Sequence, residues 1–253
     1  MTKIILSITI ILISVSTVFP QGEIAEKDEI FFKNEASMGF RINTNGWSIN
    51  YRRGKFVNPK NKNLWELEYN TIKHAKETKQ FFYSLETSTK RYVYGKKNYC
   101  FDLRSGIGRQ KTLYKKTDKN SVEIRLITFT GASLAFLKPI YYVVNDNGTI
   151  RIEKFEGSHQ QGTIENREPF IKGITETTIN PGIYFKIGIS FEHSKYEKQL
   201  SALEVGVNSY AYLQKMDIMA EVPNHRYFIT LFMNYRIGNV FHGGHHKSRN
   251  KDL

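Results

Sequence analysis

The stretch YFITLFMNYRIG, Tyr227 to Gly238, alternates without interruption. Tyr227, Ile229, Leu231, Met233, Tyr235 and Ile237 fall on one face, and Phe228, Thr230, Phe232, Asn234, Arg236 and Gly238 on the other. Successive side chains of an extended chain point to opposite sides, so this is a long strand with one greasy face and one mixed or polar face. The same division recurs along the chain. Ile183, Phe185, Ile187, Ile189 and Phe191 alternate with Tyr184, Lys186, Gly188, Ser190 and Glu192. Leu203, Val205, Val207, Ala211 and Leu213 alternate with Glu204, Gly206, Asn208, Tyr210 and Tyr212. Val122 to Leu137, Tyr99 to Gly108, Trp65 to Asn70, Trp47 to Arg52 and Phe40 to Asn43 complete a set of eight strands.

Strands of roughly 8 to 16 residues exceed the mode of about 5 to 6 for soluble sheets and suit tilted bilayer-spanning strands of about 9 to 11 residues. Alternation alone does not say which face is outside. A soluble barrel turns its apolar face inward; a membrane barrel turns it outward and encloses the polar one. Three features favour the second arrangement. Trp47, Trp65, Tyr99, Tyr227 and Tyr235 stand toward strand ends on the apolar face, where an interfacial girdle belongs. The opposite face carries charges of both signs, namely Arg41, Glu66, Glu68, Asp102, Arg104, Glu123, Arg125, Lys186, Glu192, Glu204 and Arg236, which neutralise one another in a closed lumen. Gly106, Gly108, Gly131, Gly188, Gly206 and Gly238 share that face, and a narrow barrel needs small inward residues. Connection lengths agree: the joins 112–120 and 194–198 are short, whereas 74–96, 145–180 and 215–225 are long. The exception is Asn45-Gly46, an outer connection that reads as a tight two-residue turn.

The N-terminus is a separate unit. Lys3 precedes an apolar run from Ile4 to Phe19, too short to span a membrane and followed by polar sequence, which reads as a secretory signal peptide. The expected organisation is a signal peptide at 1–20, an N-terminal periplasmic segment at 21–35, the barrel at 36–241 and a basic, His-containing tail at 242–253. The lone cysteine, Cys100, forms no internal disulfide, so an exported domain of this size is held by packing or by closing its hydrogen-bond ladder. The formal net charge of +13 attracts anions. Export turns that expectation from nucleic acid toward phosphate-bearing lipid or anionic polysaccharide.

At this point the chain resembles small outer-membrane β-barrel proteins, in particular those of the Bacteroidota type. The resemblance runs through Tyr94 to Asn98 leading into Phe101 to Gly108, through Glu123 to Pro139, and through the closing strand Tyr227 to Phe241. It implies insertion by the outer-membrane assembly machinery, which reads a last alternating strand with a terminal aromatic, here Phe241. Twelve residues, His242 to Leu253, follow that aromatic, a departure from the pattern.

Few residues suggest chemistry. His242, His245 and His246 form the one metal candidate, set against a solvated basic tail. The inward carboxylates would suit acid/base work in pairs, but Arg41, Arg104, Arg125 and Arg236 on the same face favour neutralisation. No Gly-x-Ser-x-Gly motif occurs, and Cys100 has no activating neighbour pattern. Lys76, Lys79, Lys90, Arg91, Lys96 and Lys97, against Glu77 and Glu86, mark a rim suited to lipid phosphates. The expectation is a non-enzymatic, cofactor-free barrel with a side-chain-filled lumen, a structural or binding component of the envelope within reach of an assembly or secretion complex. Its partners would be outer-membrane lipid and other envelope proteins, not nucleic acid, with Ile140 to Val144 offering a strand edge above the membrane. The alternatives are a small pore or transporter, and a soluble periplasmic lipid-binding barrel.

Overall fold

In hydrocarbon every backbone donor and acceptor needs a partner, which a sheet achieves only when its first strand finds its last. The computed structural model describes residues 33–58, 60–81, 91–116, 121–146, 148–155, 164–194, 199–220 and 222–242, all in the unit Phe31–Leu253. The expected signal peptide, and the tail beyond His242, lie outside the described residues. The strands in chain order are β1 (Lys33–Asn43), β2 (Gly46–Asn58), β3 (Asn61–Ile72), β4 (Lys79–Phe81), β5 (Arg91–Val93), β6 (Asn98–Tyr114) and β7 (Glu123–Pro139). They continue with β8 (Tyr141–Asp146), β9 (Thr149–Lys154), β10 (Ile164–Arg167), β11 (Thr178–Glu192), β12 (Gln199–Tyr212) and β13 (Tyr227–His242).

Eight of them close a barrel in the order β1-β13-β12-β11-β7-β6-β3-β2, with every pairing antiparallel. The seam pairs β1 with β13 from Lys33↔His242 to Asn43↔Phe232. All eight strands read from the alternation are present, and each is longer than its apolar run. The first strand starts at Lys33, ahead of the alternation read from Phe40, and its residues 34 and 35 extend the seam, which brings Glu35 into the lumen.

The faces are those of a barrel that spans a membrane. Ile183, Ile187, Ile229, Leu231 and Ile237 are exposed outward, Ile229 by 77%, while Arg41, Arg52, Glu66, Lys186, Glu204 and Arg236 have no exposure at all. Soluble monomers rarely expose a wall of large apolar side chains while enclosing their ions, whereas an outer-membrane barrel requires it. Neighbouring rings run around the outside near the long-loop end: Phe40 with Trp47 (centroids 6.2 Å apart), Trp47 with Tyr69 (5.9 Å), Tyr69 with Phe101 (5.9 Å) and Phe101 with Phe136 (5.3 Å). This belt crosses five adjacent strands at the level where amphipathic rings bridge hydrocarbon and water.

At the loop end, β8 is the central strand of a three-stranded sheet ordered β10-β8-β9, and β4 pairs with β5. Ile140 to Val144 is therefore not an open edge: Tyr141–Asp146 is flanked on both sides, by β9 through Tyr141↔Lys154 to Asp146↔Thr149 and by β10 through Arg167↔Tyr142 to Ile164↔Val144. Ile140, Tyr142, Val144, Phe155 and Ile164 form a small core of their own beneath Tyr94, Tyr99 and Ala220.

Glycine sets how closely the wall can be filled. Gly188 and Gly206 lie opposite one another across β11 and β12, and a Cβ on Gly206 would collide with the Ile187 carbonyl and reach 2.9 Å from the Phe232 ring. Gly206→Ala is expected to lower folded stability by about 2 kcal/mol through overpacking. The outward Ser209→Ala on the same strand should change it little. Urea unfolding in detergent followed by tryptophan fluorescence distinguishes the two, and equal midpoints would contradict the packing account.

Candidate functional site

The lumen holds the densest polar chemistry of the described residues. Period two places the even-numbered residues of β2, β3, β6, β11, β12 and β13 inside, and the odd-numbered residues of β1 and β7, so charges distant in sequence converge. Seven cations, Arg41, Arg52, Lys62, Arg104, Arg125, Lys186 and Arg236, meet seven carboxylates, Glu35, Glu66, Glu68, Asp102, Glu123, Glu192 and Glu204.

Arg52 is the central member. Its Nε and Nη2 donate to Glu66 Oε2 at 2.9 and 2.6 Å, and its Nη1 and Nη2 donate to Glu204 at 2.6 and 3.0 Å. One guanidinium thus uses its fork on two carboxylates from opposite walls. Toward the loop end, Lys186 donates to Glu66, Arg41 pairs with Glu68, and Arg104 donates to Asp102 at 2.8 Å. Asp102 also accepts from Tyr212 at 2.5 Å and from Ser133 at 2.8 Å. Toward the other end, Glu35 accepts from Lys62 at 2.8 Å and from Arg236, and Arg125 lies between Glu123 (2.9 Å) and Glu192. Aromatic faces lie against three of the cations: the Phe129 ring is 4.7 Å from the Arg52 guanidinium and 4.4 Å from Lys186 Nζ, and the Phe232 ring is 4.8 Å from Arg41.

Each sequence-predicted lumen residue faces inward, and each is paired. Three members of the network were not predicted. Arg52 stood on the polar face of its strand but was not counted among the paired charges; Glu35 and Lys62 lie outside the expected limits of the first and third strands. A search for charges in register with the alternation, extended beyond the apolar run, would have found all three.

A second barrier was not foreseen. The stretch 213–220 of the connection to β13 folds back over the barrel mouth, and Met216, Ile218 and Met219 pack onto Ile72, Cys100, Leu137, Tyr210 and Tyr212. It is stitched to the wall by main-chain bonds, from Lys97 N to Ile218 O at 3.0 Å and from Ala220 N to Gly95 O at 2.7 Å. The side chain of Asn180 clasps its start, donating to Gln214 O at 2.9 Å and accepting from Gln214 N at 3.1 Å.

The predicted cationic rim is scattered. Lys96 is buried and donates to Glu77 at 2.7 Å, and Lys97 donates to Asp217 at 2.8 Å. Lys76 is exposed beside His74, Lys79 and Arg91 stand on the β4 and β5 ladder, and Lys90 lies outside the described residues. His242 ends β13, whereas His245 and His246 fall outside the described residues. Among the described residues, no cluster of three His, Cys, Asp or Glu side chains is arranged to hold a metal.

Removing one partner of a buried ion pair leaves the other uncompensated, at a cost of about 3 to 5 kcal/mol. Arg52→Met should therefore destabilise the barrel by an amount of that order. Adding Glu204→Gln should recover part of the loss, since one orphaned carboxylate is then neutral. Denaturant midpoints of the single and double variants in detergent test this, and additive losses would rule out coupling through Arg52.

No protein-family model matches this chain, and no curated protein matches it either. Among solved structures it is similar to Ail, the attachment invasion locus protein of Yersinia pestis, crystallised in complex with the heparin analogue sucrose octasulfate, at 8% identity and a TM-score of 0.41, covering 84% of this chain and 100% of that one. Neisserial surface protein A aligns at 8% identity and a TM-score of 0.38, covering 84% and 97%. A major outer membrane protein from Thermus thermophilus aligns at 10% identity and a TM-score of 0.39, covering 83% and 98%.

Proposed function

We propose that this protein is a non-conducting outer-membrane barrel of the Bacteroidota type, a structural or binding component of the cell envelope that works through its loop cap as part of an assembly or secretion complex. The observation that carries this reading is the doubly closed lumen. Fourteen paired charges fill its length, and an apolar plug built around Met216, Ile218 and Met219 covers one mouth. An eight-stranded barrel is only just wide enough to be filled by its own side chains, which supports a lumen closed to solutes.

Function then falls to what is displayed outside the wall. The loops at the plugged end have a sheet and a core of their own, an investment in order that a mere connection does not need. Within that sheet β9 is an outer strand, with Ile150 and Ile152 exposed. An exposed, alternating edge strand can take up an extended segment of another protein by main-chain pairing.

Two outcomes are expected. Purified protein in planar bilayers should give no conductance steps; regular steps would favour a pore. In cross-linking from native envelopes, Ile150→Lys with Ile152→Lys should lose an envelope-protein adduct that the parent chain forms, while heat-modifiable gel migration stays intact. An unchanged adduct pattern would remove β9 from the reading.

A further inference from the structure

Directly beyond the aromatic belt, on the outer wall at the loop end, stands a pair of cations that meet no carboxylate among the described residues, Lys138 and Arg167. Lys138 follows Phe136 on the outward face of β7, and its partner in the register is Tyr99, just as Phe101 partners Phe136. Lys138 is only 2% exposed. Its Nζ lies 4.6 Å from the centroid of the Phe170 ring and 5.7 Å from that of Tyr99, and it donates to the carbonyl of Pro139 at 3.2 Å. Arg167 donates to the Tyr99 hydroxyl and holds its guanidinium 5.6 Å from the same ring. Lys96, the third cation on Tyr99, is by contrast satisfied by Glu77.

The segment that covers Lys138 is itself unusual. Pro169 to Gly173 forms a turn closed by Lys172 N to Pro169 O at 3.1 Å, with Gly173 in the left-handed region (φ 81°), where a Cβ would stand 2.9 Å from the Tyr141 ring. This fixed turn holds Phe170, Ile171 and Ile174 out to solvent, Ile171 by 79%. Phe170 lies against Tyr99 (5.6 Å between centroids), so the knuckle continues the apolar wall past the belt.

An ammonium held away from water without a counter-ion is costly, and apolar side chains displayed next to it are costly in water too. Both costs disappear if the site lies at the membrane interface and is occupied by an amphiphile with an anionic head. The geometry points to a binding site for a phosphate-bearing lipid of the leaflet at the loop end. Its phosphate would be taken between Lys138 and Arg167 as Phe170 turns aside, and its acyl chains would lie along Phe136, Ile171 and Ile174. This inference rests on the membrane-barrel reading above.

The test uses the full chain in uncharged detergent micelles, titrated with dioleoyl phosphatidic acid, with dioleoylglycerol, or with inorganic phosphate, and reads the temperature of heat-modifiable migration together with lipid retained in native mass spectra. Phosphatidic acid should raise the transition and be retained. Lys138→Gln and Arg167→Gln should each weaken apparent affinity about tenfold, the loss of roughly one charged contact, and Lys138→Arg should restore most of it. Both variants must keep heat-modifiable migration, which shows that they are folded. Equal stabilisation by dioleoylglycerol, equal binding of inorganic phosphate, or unaltered affinity in both Gln variants would overturn the site. A parent chain that stays dispersed without detergent would instead strike the membrane reading underneath it.

Discussion

Fourteen charges inside a cylinder surrounded by hydrocarbon are tolerable only as neutral, hydrogen-bonded groups, and the Arg52 guanidinium shared by Glu66 and Glu204 is where that condition is met most completely. Glu66 comes from β3, next to Arg52 on β2, and Glu204 comes from the far wall on β12. The same bonds that neutralise the lumen therefore brace it across its width. Closure of β1 on β13 supplies the complementary condition, because an open edge would leave unpaired main-chain groups facing lipid.

Because the lumen holds seven charges of each sign, the formal +13 of the chain is carried elsewhere. That changes what the basic character means. It belongs to residues outside the lumen, where one cation finds a carboxylate, as Lys96 does with Glu77, and another stands ready for an external anion, as Lys138 and Arg167 do. Basic residues near one another in sequence did not locate this second kind. Lys138 and Arg167 are far apart in the chain and meet only because both approach Tyr99.

The two closures of the barrel differ in kind. The ionic fill is buried and follows from strand register, so it is part of the fold itself. The plug of Met216, Ile218 and Met219 is a loop packed on the mouth and held by a few main-chain bonds, with flexible Met side chains as its filler. Together they leave the cap, with its own small core and the exposed Ile150 and Ile152, as the displayed surface.

Strand number, strand identity and the inside–outside division were all legible in the sequence, because alternation is a local property of an extended chain and needs no knowledge of the partner strand. The stretch from Tyr227 to Gly238 already separates Ile229 and Leu231 from Asn234 and Arg236. What the linear chain did not contain was who meets whom. Arg52 was visible as a polar-face residue, but its place between Glu66 and Glu204 depends on register around a closed sheet; Glu35 and Lys62 lay beyond the apolar runs that marked the strands. The strand Tyr141–Asp146 lost its expected free edge because β9 and β10, formed by connecting segments, flank it. The plug over the mouth follows the same rule, and so does the Lys138–Tyr99–Arg167 cluster: Lys138 and Tyr99 pair across two barrel strands, but Arg167 and Phe170 reach them from a connecting segment with no periodic signal, whose position is set by packing on a wall that exists only once the barrel has closed.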